Sequence, residues 1–306
     1  MRDLLLSEIV SCFDDDIIEI KGVITDKIIK YIKPIGKEDE YSLDWINPTN
    51  ENGQSFAEQT KAKAIICNNS IDYSDVLQHE YKVLIVAENP KLLLAKIYQK
   101  YFKLLPKPMI SNKADISSDA VIGNNCYIGP FCSIGKCRIG DNVTIMPNVT
   151  IYDDVEIGNN VIVHSGCSIG SNGLGCMRDY DNTLYVSPHV GGVIISDNVE
   201  IGSNSFIARG AFSNTLIKKG TKINGNCFIA HNCIVGENVL FTGSSMIAGS
   251  SKIGDNSIVY SNVFVREQIT VGANSIIGAG SVVTKEIPAN EVWFGSPAKK
   301  MRDNEK

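Results

Sequence analysis

Histidine is scarce in this chain: 306 residues hold four, His79, His164, His189 and His231. No two form an H-x4-H or similar pair, which argues against a three-histidine zinc site, and no metal is expected. The nine cysteines include no CxxC pair. They read as small reduced core residues, not ligands or disulfides. No apolar run approaches a membrane span, and Asp14, Asp15 and Asp16 break the N-terminal stretch before a signal-peptide core could form. Cations are not gathered into a stripe and the formal net charge is −5, so nucleic acid and polybasic membrane attachment are disfavoured. A cytoplasmic protein is expected.

What the chain has is a period. From Ile217 onward an apolar residue returns at every sixth position: Ile223, Ile229, Val235, Phe241, Ile247, Ile253 and on to Val283. A second small or β-branched residue often follows four later, as at Thr221, Cys227, Cys233 and Val239. Six fits neither the helix period of 3.6 nor the strand period of 2. It is the mark of a hexapeptide parallel β-helix, in which each short strand fills one side of a triangular coil. Three hexads make a coil, so each residue lies beneath the one eighteen further on. The period starts near Ile116, loses one residue before Ile139 and then holds to Ile169. An insertion at 170–192 interrupts it, and a four-residue excess separates Ile207 from Ile217.

Residues 1–105 lack the period. Alternating strand and helix signals make them a small α/β domain. Asp3 is placed to cap a first helix, Ser55 and Glu58 form an S-x-x-E capping box, and Asn89-Pro90 opens a last helix. The stiff Leu105-Pro106-Lys107-Pro108 ends the domain. The expected order is therefore 1–105 α/β, 106–288 β-helix and 289–306 a short tail, a mainly β protein.

A β-helix prism is flat-sided, so chemistry must come from an inserted loop or a groove between prisms, which favours an oligomer. His231 stands in a corner, in Ile229-Ala230-His231-Asn232, where coil packing has no need of an imidazole. It suits a general base. Gly249 stacks on it in register. A glycine there admits a thioester carbonyl and offers its N–H to an oxyanion. His164 lies several turns away, and His189 sits in the insertion, placed to reach a neighbouring subunit. Gly170, Gly173 and Gly175 precede no helix and are no dinucleotide fingerprint.

The segments GSNGLGC at 170–176, VIISDNVEIGSNSFIARGAFSNTLI at 193–217, FIAHNCIVGEN at 228–238 and AGSSKIG at 248–254 resemble the UDP-3-O-acylglucosamine N-acyltransferases of lipid A synthesis. SLDWINP at 42–48 and VLIVAENPKLLLAKI extend the likeness into the first domain. The resemblance implies a homotrimer of left-handed parallel β-helices with active sites between subunits. It makes His231 the catalytic histidine and Gly249 the acyl-oxygen donor. It places Trp45 and Asn47 at the nucleobase, with Asn224, Asn232, His164 and His189 around the substrate.

Three departures stand out. Asn224 replaces a usual Asp seven residues before the histidine, Ala208 replaces the Asp of a D-R-G-A motif, and the tail lacks the family's final helical segment. The ending at Phe294-Gly295-Ser296-Pro297-Ala298 is similar to that of CoA-dependent sugar acetyltransferases. The expected reaction is transfer from a thioester, a short-chain acyl-CoA, to the amino group of a nucleotide-linked sugar of surface polysaccharide, with no tightly bound cofactor. Lys299 and Lys300 would meet the CoA phosphates. The alternative is lipid A synthesis with an acyl carrier protein donor.

Overall fold

A computed structural model describes residues 3–25, 27–34 and 36–304. The chain divides into two compact units, Met1–Leu105 and Pro106–Lys306.

The second unit is a parallel β-helix with three faces. The first face includes Ile162–Val163, Glu200–Ile201, Lys222–Ile223 and Leu240–Phe241; the second includes Phe206–Ala208, Phe228–Ile229 and Met246–Ile247; the third includes Thr215–Ile217 and Ile234–Val235. Sequence spacing becomes register directly. Ile229 pairs with Ile247, and the shortened hexad sets Ile134 opposite Ile151. The coil after Ile157 resumes only at Ile195, across the insertion, and Ile195 pairs with Ile217 across the four-residue excess. The sixth-position residues point inward and are buried, as are their companions Thr221, Cys227, Cys233, Val239 and Ser245. Inward hydroxyls donate to corner carbonyls, Thr221 Oγ1 to Gly236 at 2.8 Å and Ser245 Oγ to Tyr260 at 2.9 Å. The core therefore keeps no orphaned hydroxyl at these positions.

Asparagine recurs at the corners for a backbone reason. Asn198, Asn204, Asn226, Asn232, Asn238, Asn256 and Asn262 all have φ between +52° and +60°. A left-handed residue costs most side chains about 1–2 kcal/mol, and the short amide of asparagine lowers that cost.

The tail is a hairpin. Glu291–Phe294 extends the first face in parallel, and Lys299–Asp303 returns antiparallel to it. Lys300 reaches Glu291 and Asp303 at 2.8 and 2.7 Å. The insertion holds its own hairpin, Cys176–Arg178 with Leu184–Val186.

The first unit is a four-stranded sheet in the order Glu19–Lys21, Val83–Val86, Ala64–Cys67, Leu43–Trp45, antiparallel at the first pair and parallel after it. Apolar clusters cover both its faces. Asn89 caps the helix Pro90–Ile97, accepting from Leu92 N–H at 3.0 Å. Two expected caps are not formed. Leu4–Leu5 is a strand, so the first helix starts at Leu6, beyond the reach of Asp3. Ser55 lies inside the helix Gly53–Gln59, because the chain enters it from the Asn50–Asn52 turn. Glu58 instead accepts from Gln54 and Ser74. Lys82 is fully buried, its ammonium given to the carbonyls of Ala57 and Glu58 at that helix's C-terminus and to Glu80. Helix-end carbonyls and a carboxylate are the partners a buried cation needs.

Candidate active site

The corner that follows the second face carries Ala230-His231-Asn232, and one coil on it carries Ala248-Gly249-Ser250. Ser250 N–H donates to the His231 carbonyl at 2.9 Å, which locks the two corners in register. The imidazole lies directly against Gly249: a Cβ there would stand 2.6 Å from both Cε1 and Nε2 of His231. Only glycine fits at that distance. Among the described residues no acceptor takes the Gly249 N–H.

Asn232 decides which nitrogen of His231 is the base. Its Nδ2 donates to the carbonyl and hydroxyl of Ser213 at 2.9 and 2.8 Å, and its Oδ1 accepts from Ala211 N–H at 3.0 Å. The amide cannot be turned over without breaking these bonds. Oδ1 also lies 3.0 Å from His231 Nδ1, so that nitrogen must be the donor. The neutral ring then presents Nε2 as a lone pair, with Gly249 packed against the ring. The four-residue excess supplies Ala211 and Ser213, so the irregular corner holds the asparagine that orients the histidine.

The insertion returns to the same corner. Arg209 ties its end down, donating from Nε to the Gly191 carbonyl and pairing with Asp154, each at 2.7 Å. This brings His189 against His231 in the same chain, ring centroids 5.3 Å apart and edge to face. An added Cβ on Gly173 would meet both rings, at 3.0 and 3.4 Å. The sequence reading placed His189 toward a neighbouring subunit; the irregular path of the insertion left its intramolecular neighbour invisible to register.

Asn224 and His164 belong elsewhere. Both follow strands of the first face and share a groove of about 430 Å³ with Glu200, Lys222 and Thr242. His164 Nε2 is 2.9 Å from the Glu200 carboxylate. Asn224 spends its amide locally, on the Thr242 carbonyl at 3.1 Å and the Gly225 N–H at 2.8 Å. Seven residues before His231 is one corner back around the coil. The partner of the imidazole is therefore Asn232, not the residue at position 224.

Lys299 and Lys300 lie on the tail hairpin. Lys300 is committed to two carboxylates, Glu291 and Asp303; its ammonium, and then Trp293 Nε1, hold the Glu291 carboxyl below its ordinary range. Lys299 is exposed. In the first unit Trp45 is half-buried at the end of the edge strand, packed on the core, and the exposed Asn47 just beyond accepts from Thr49 N–H at 3.2 Å. Among the described residues no three His, Cys, Asp or Glu side chains are placed to hold a metal, and no helix is long and apolar enough to cross a membrane.

A hexad-built prism with a histidine stacked on a glycine corner defines the class: a left-handed parallel β-helix of the kind found in acyltransferases. Residues 136–171 and 250–285 match the family described as bacterial transferase hexapeptide, six repeats. Two relatives are UDP-3-O-acylglucosamine N-acyltransferases. That of Coxiella burnetii (strain RSA 493 / Nine Mile phase I) is 43% identical over 83 residues, 27% of this chain and 24% of that one. That of Hahella chejuensis (strain KCTC 2396) is 39% identical over 87 residues, 28% and 25%. The match thus spans about a quarter of each relative. Among solved structures, the UDP-N-acetylglucosamine acyltransferase of Bacteroides fragilis 9343 superposes with a TM-score of 0.58 at 29% identity, covering 64% of this chain and 75% of that one. The LpxA of Acinetobacter baumannii gives 0.56 at 28%, covering 64% and 74%.

Proposed function

We propose that this chain transfers an acyl group from a thioester to the amino group of a nucleotide-linked glucosamine. The observation that carries the reading is the Asn232–His231–Gly249 arrangement: a base whose tautomer is fixed, packed against a glycine whose N–H has no other acceptor among the described residues. The amine nitrogen attacks the thioester carbon. The carbonyl oxygen becomes an oxyanion held by the Gly249 N–H, a contact worth about 3 kcal/mol in comparable sites. His231 Nε2 takes one amine proton. The C–S bond then breaks and that proton passes to the departing thiolate, leaving an amide and a thiol.

The relatives' name favours UDP-3-O-acylglucosamine as acceptor over a surface-polysaccharide sugar, and so supports the lipid A reading above the short-chain one. In this reading Trp45 stacks on the nucleobase beside Asn47. The acyl donor, carrier protein or CoA, meets the prism along its coils, with Lys299 as a cation for phosphate, and three copies assemble with sites between them. The test is a mass-resolved assay of purified protein with UDP-3-O-acylglucosamine and matched acyl thioesters of carrier protein and CoA. The acceptor should gain one acyl mass; no gain with either donor overturns the reading.

A further inference from the structure

A cavity of about 430 Å³ in the first unit holds none of the residues given a function above. Its walls include Lys27, Glu40, Tyr41, Lys63, Glu80 and Tyr81. Tyr41, Lys63 and Tyr81 stand one or two residues before the parallel strands Leu43–Trp45, Ala64–Cys67 and Val83–Val86, so the cavity lies at the amino ends of those strands. Trp45 and Asn47 lie at the opposite, carboxyl end. Two lysines line the cavity. Lys63 Nζ donates to the Glu80 carbonyl at 2.8 Å, while the Glu80 carboxylate is nearer to the buried Lys82, at 3.0 Å against 4.0 Å. Lys27 is half-buried, and among the described residues no acceptor takes its ammonium. Burial, and then the charge of Lys63, pulls it below the ordinary lysine range. The carbonyls of Lys27 and Lys63 accept from Leu6 and Val83 N–H, each at 2.8 Å, which fixes both backbones.

Tyr81 is held against its own preference. Its φ is +54°. The N–H groups of Tyr81 and Lys82 donate to the Gln78 and Leu77 carbonyls, each at 3.0 Å, and so close the helix Asp75–His79 as a Schellman turn. That position suits glycine or asparagine, and a bulkier side chain strains it. The tyrosine gains no packing in return, being 77% exposed. Lys30 stands over the Tyr41 ring at 4.7 Å, whereas the Tyr81 ring has no partner among the described residues.

We infer that this cavity binds a nucleoside monophosphate. The phosphate meets the ammonium groups of Lys27 and Lys63, the base stacks on Tyr81, and Glu40 accepts from a ribose hydroxyl. Such a ligand answers both unfavourable features at once: a cation left unpaired beside a second one, and a strained ring left in water. A free nucleoside would leave Lys27 unpaired, and bare phosphate would leave Tyr81 uncovered. The volume falls in the range of small-molecule sites. The inference does not depend on the acyl-transfer reading, which puts the base of the sugar nucleotide at Trp45.

The test is calorimetric titration of the full chain with AMP, adenosine and inorganic phosphate. Lys27→Met keeps the apolar stem and removes the charge. Tyr81→Asn suits the left-handed turn and removes the ring, so it should melt no lower than wild type. Each substitution should raise the Kd for AMP about tenfold. Adenosine and phosphate should each bind wild type at least tenfold more weakly than AMP. Trp45→Ala, in protein that still melts cooperatively, should leave the Kd for AMP unchanged. If Tyr81→Asn does not fold, Lys27→Met carries the comparison. Wild type that shows no saturable binding of AMP overturns the site. Binding that survives both substitutions, or that is lost with Trp45→Ala, puts the nucleotide elsewhere and overturns it as well. Phosphate binding as tightly as AMP overturns the assignment of a nucleoside.

Discussion

A side chain on Gly249 would stand 2.6 Å from the Nε2 of His231, far inside any real contact. The methyl of Gly249→Ala must push the imidazole off its line with Asn232, since coil stacking holds the backbone. Turnover should fall by about a hundredfold, the scale of losing one oriented oxyanion donor or base. The melting temperature should stay near that of wild type, because the imidazole is half-buried and can swing outward. An alanine variant with normal kcat would remove Gly249 from the site.

Asn232 serves the corner and the histidine at once, and the two roles can be separated. Its φ is +59°, so Asn232→Gly keeps the backbone while deleting the amide. That variant should lose about ten- to a hundredfold in kcat with little change in KM. Asn232→Asp, which returns an acceptor to Nδ1, should recover part of it. His231→Ala should lose about 10²–10⁴ with the fold intact. If Asn232→Gly matches wild type, the imidazole is oriented by something else.

Arg209 fastens the insertion at Gly191 and Asp154. Arg209→Met keeps the apolar stem and loses both bonds. Limited proteolysis should then cut between residues 176 and 187 about tenfold faster, and activity should fall while the β-helix melts as before. Unchanged cutting would mean the hairpin is held by other contacts.

The thiols should sort by environment. Burial pushes Cys233 and Cys67 up to about 12, and Cys137 and Cys167 up to about 11. Cys12 moves the other way: hydrogen bonds from Lys100 and then Tyr101 favour its thiolate. Reaction requires the thiolate, so a lowered value carries labelling to lower pH. In native protein, iodoacetamide should modify Cys12 and the exposed Cys176, Cys12 holding its rate further down in pH. Lys100→Met should remove that advantage. The buried thiols should react only after denaturation; modification of native Cys233 at pH 8 would contradict its packing.

The hexads were legible because coil packing offers few choices. One inward residue per six, one left-handed corner and one fixed stack make Ile229, Asn232 and Gly249 follow from counting. The short hexad, the insertion and the excess before Ile217 were visible as breaks in that count. What lay beyond it was whatever the breaks themselves build. The contact of His189 with His231 depends on the path of an irregular segment held by Arg209, and no period encodes it. Asn232 was named as a neighbour of the base, but its grip on Nδ1 depends on Ser213 and Ala211, inside the excess. In the first unit the Asn89 cap was legible from an adjacent Pro90. The Ser55–Glu58 pair misled because a matching spacing does not show where a helix begins.

The hairpin of Glu291–Phe294 with Lys299–Asp303 meets a hazard that any open stack of parallel strands carries. The last coil would otherwise offer bare N–H and C=O groups on every side, a template onto which another chain could grow. Here the first face closes on the charged, fully exposed strand Lys299–Asp303. On the second face, the Val282 N–H donates to the Gly295 carbonyl and the Val282 carbonyl accepts from the Ala298 N–H, at 3.0 and 2.8 Å. On the third, Ile287 pairs across Thr270 and Gly272, at 3.0 and 2.8 Å. The hairpin and the turn before it thus act as a stopper at this end of the stack, where another chain could otherwise add on.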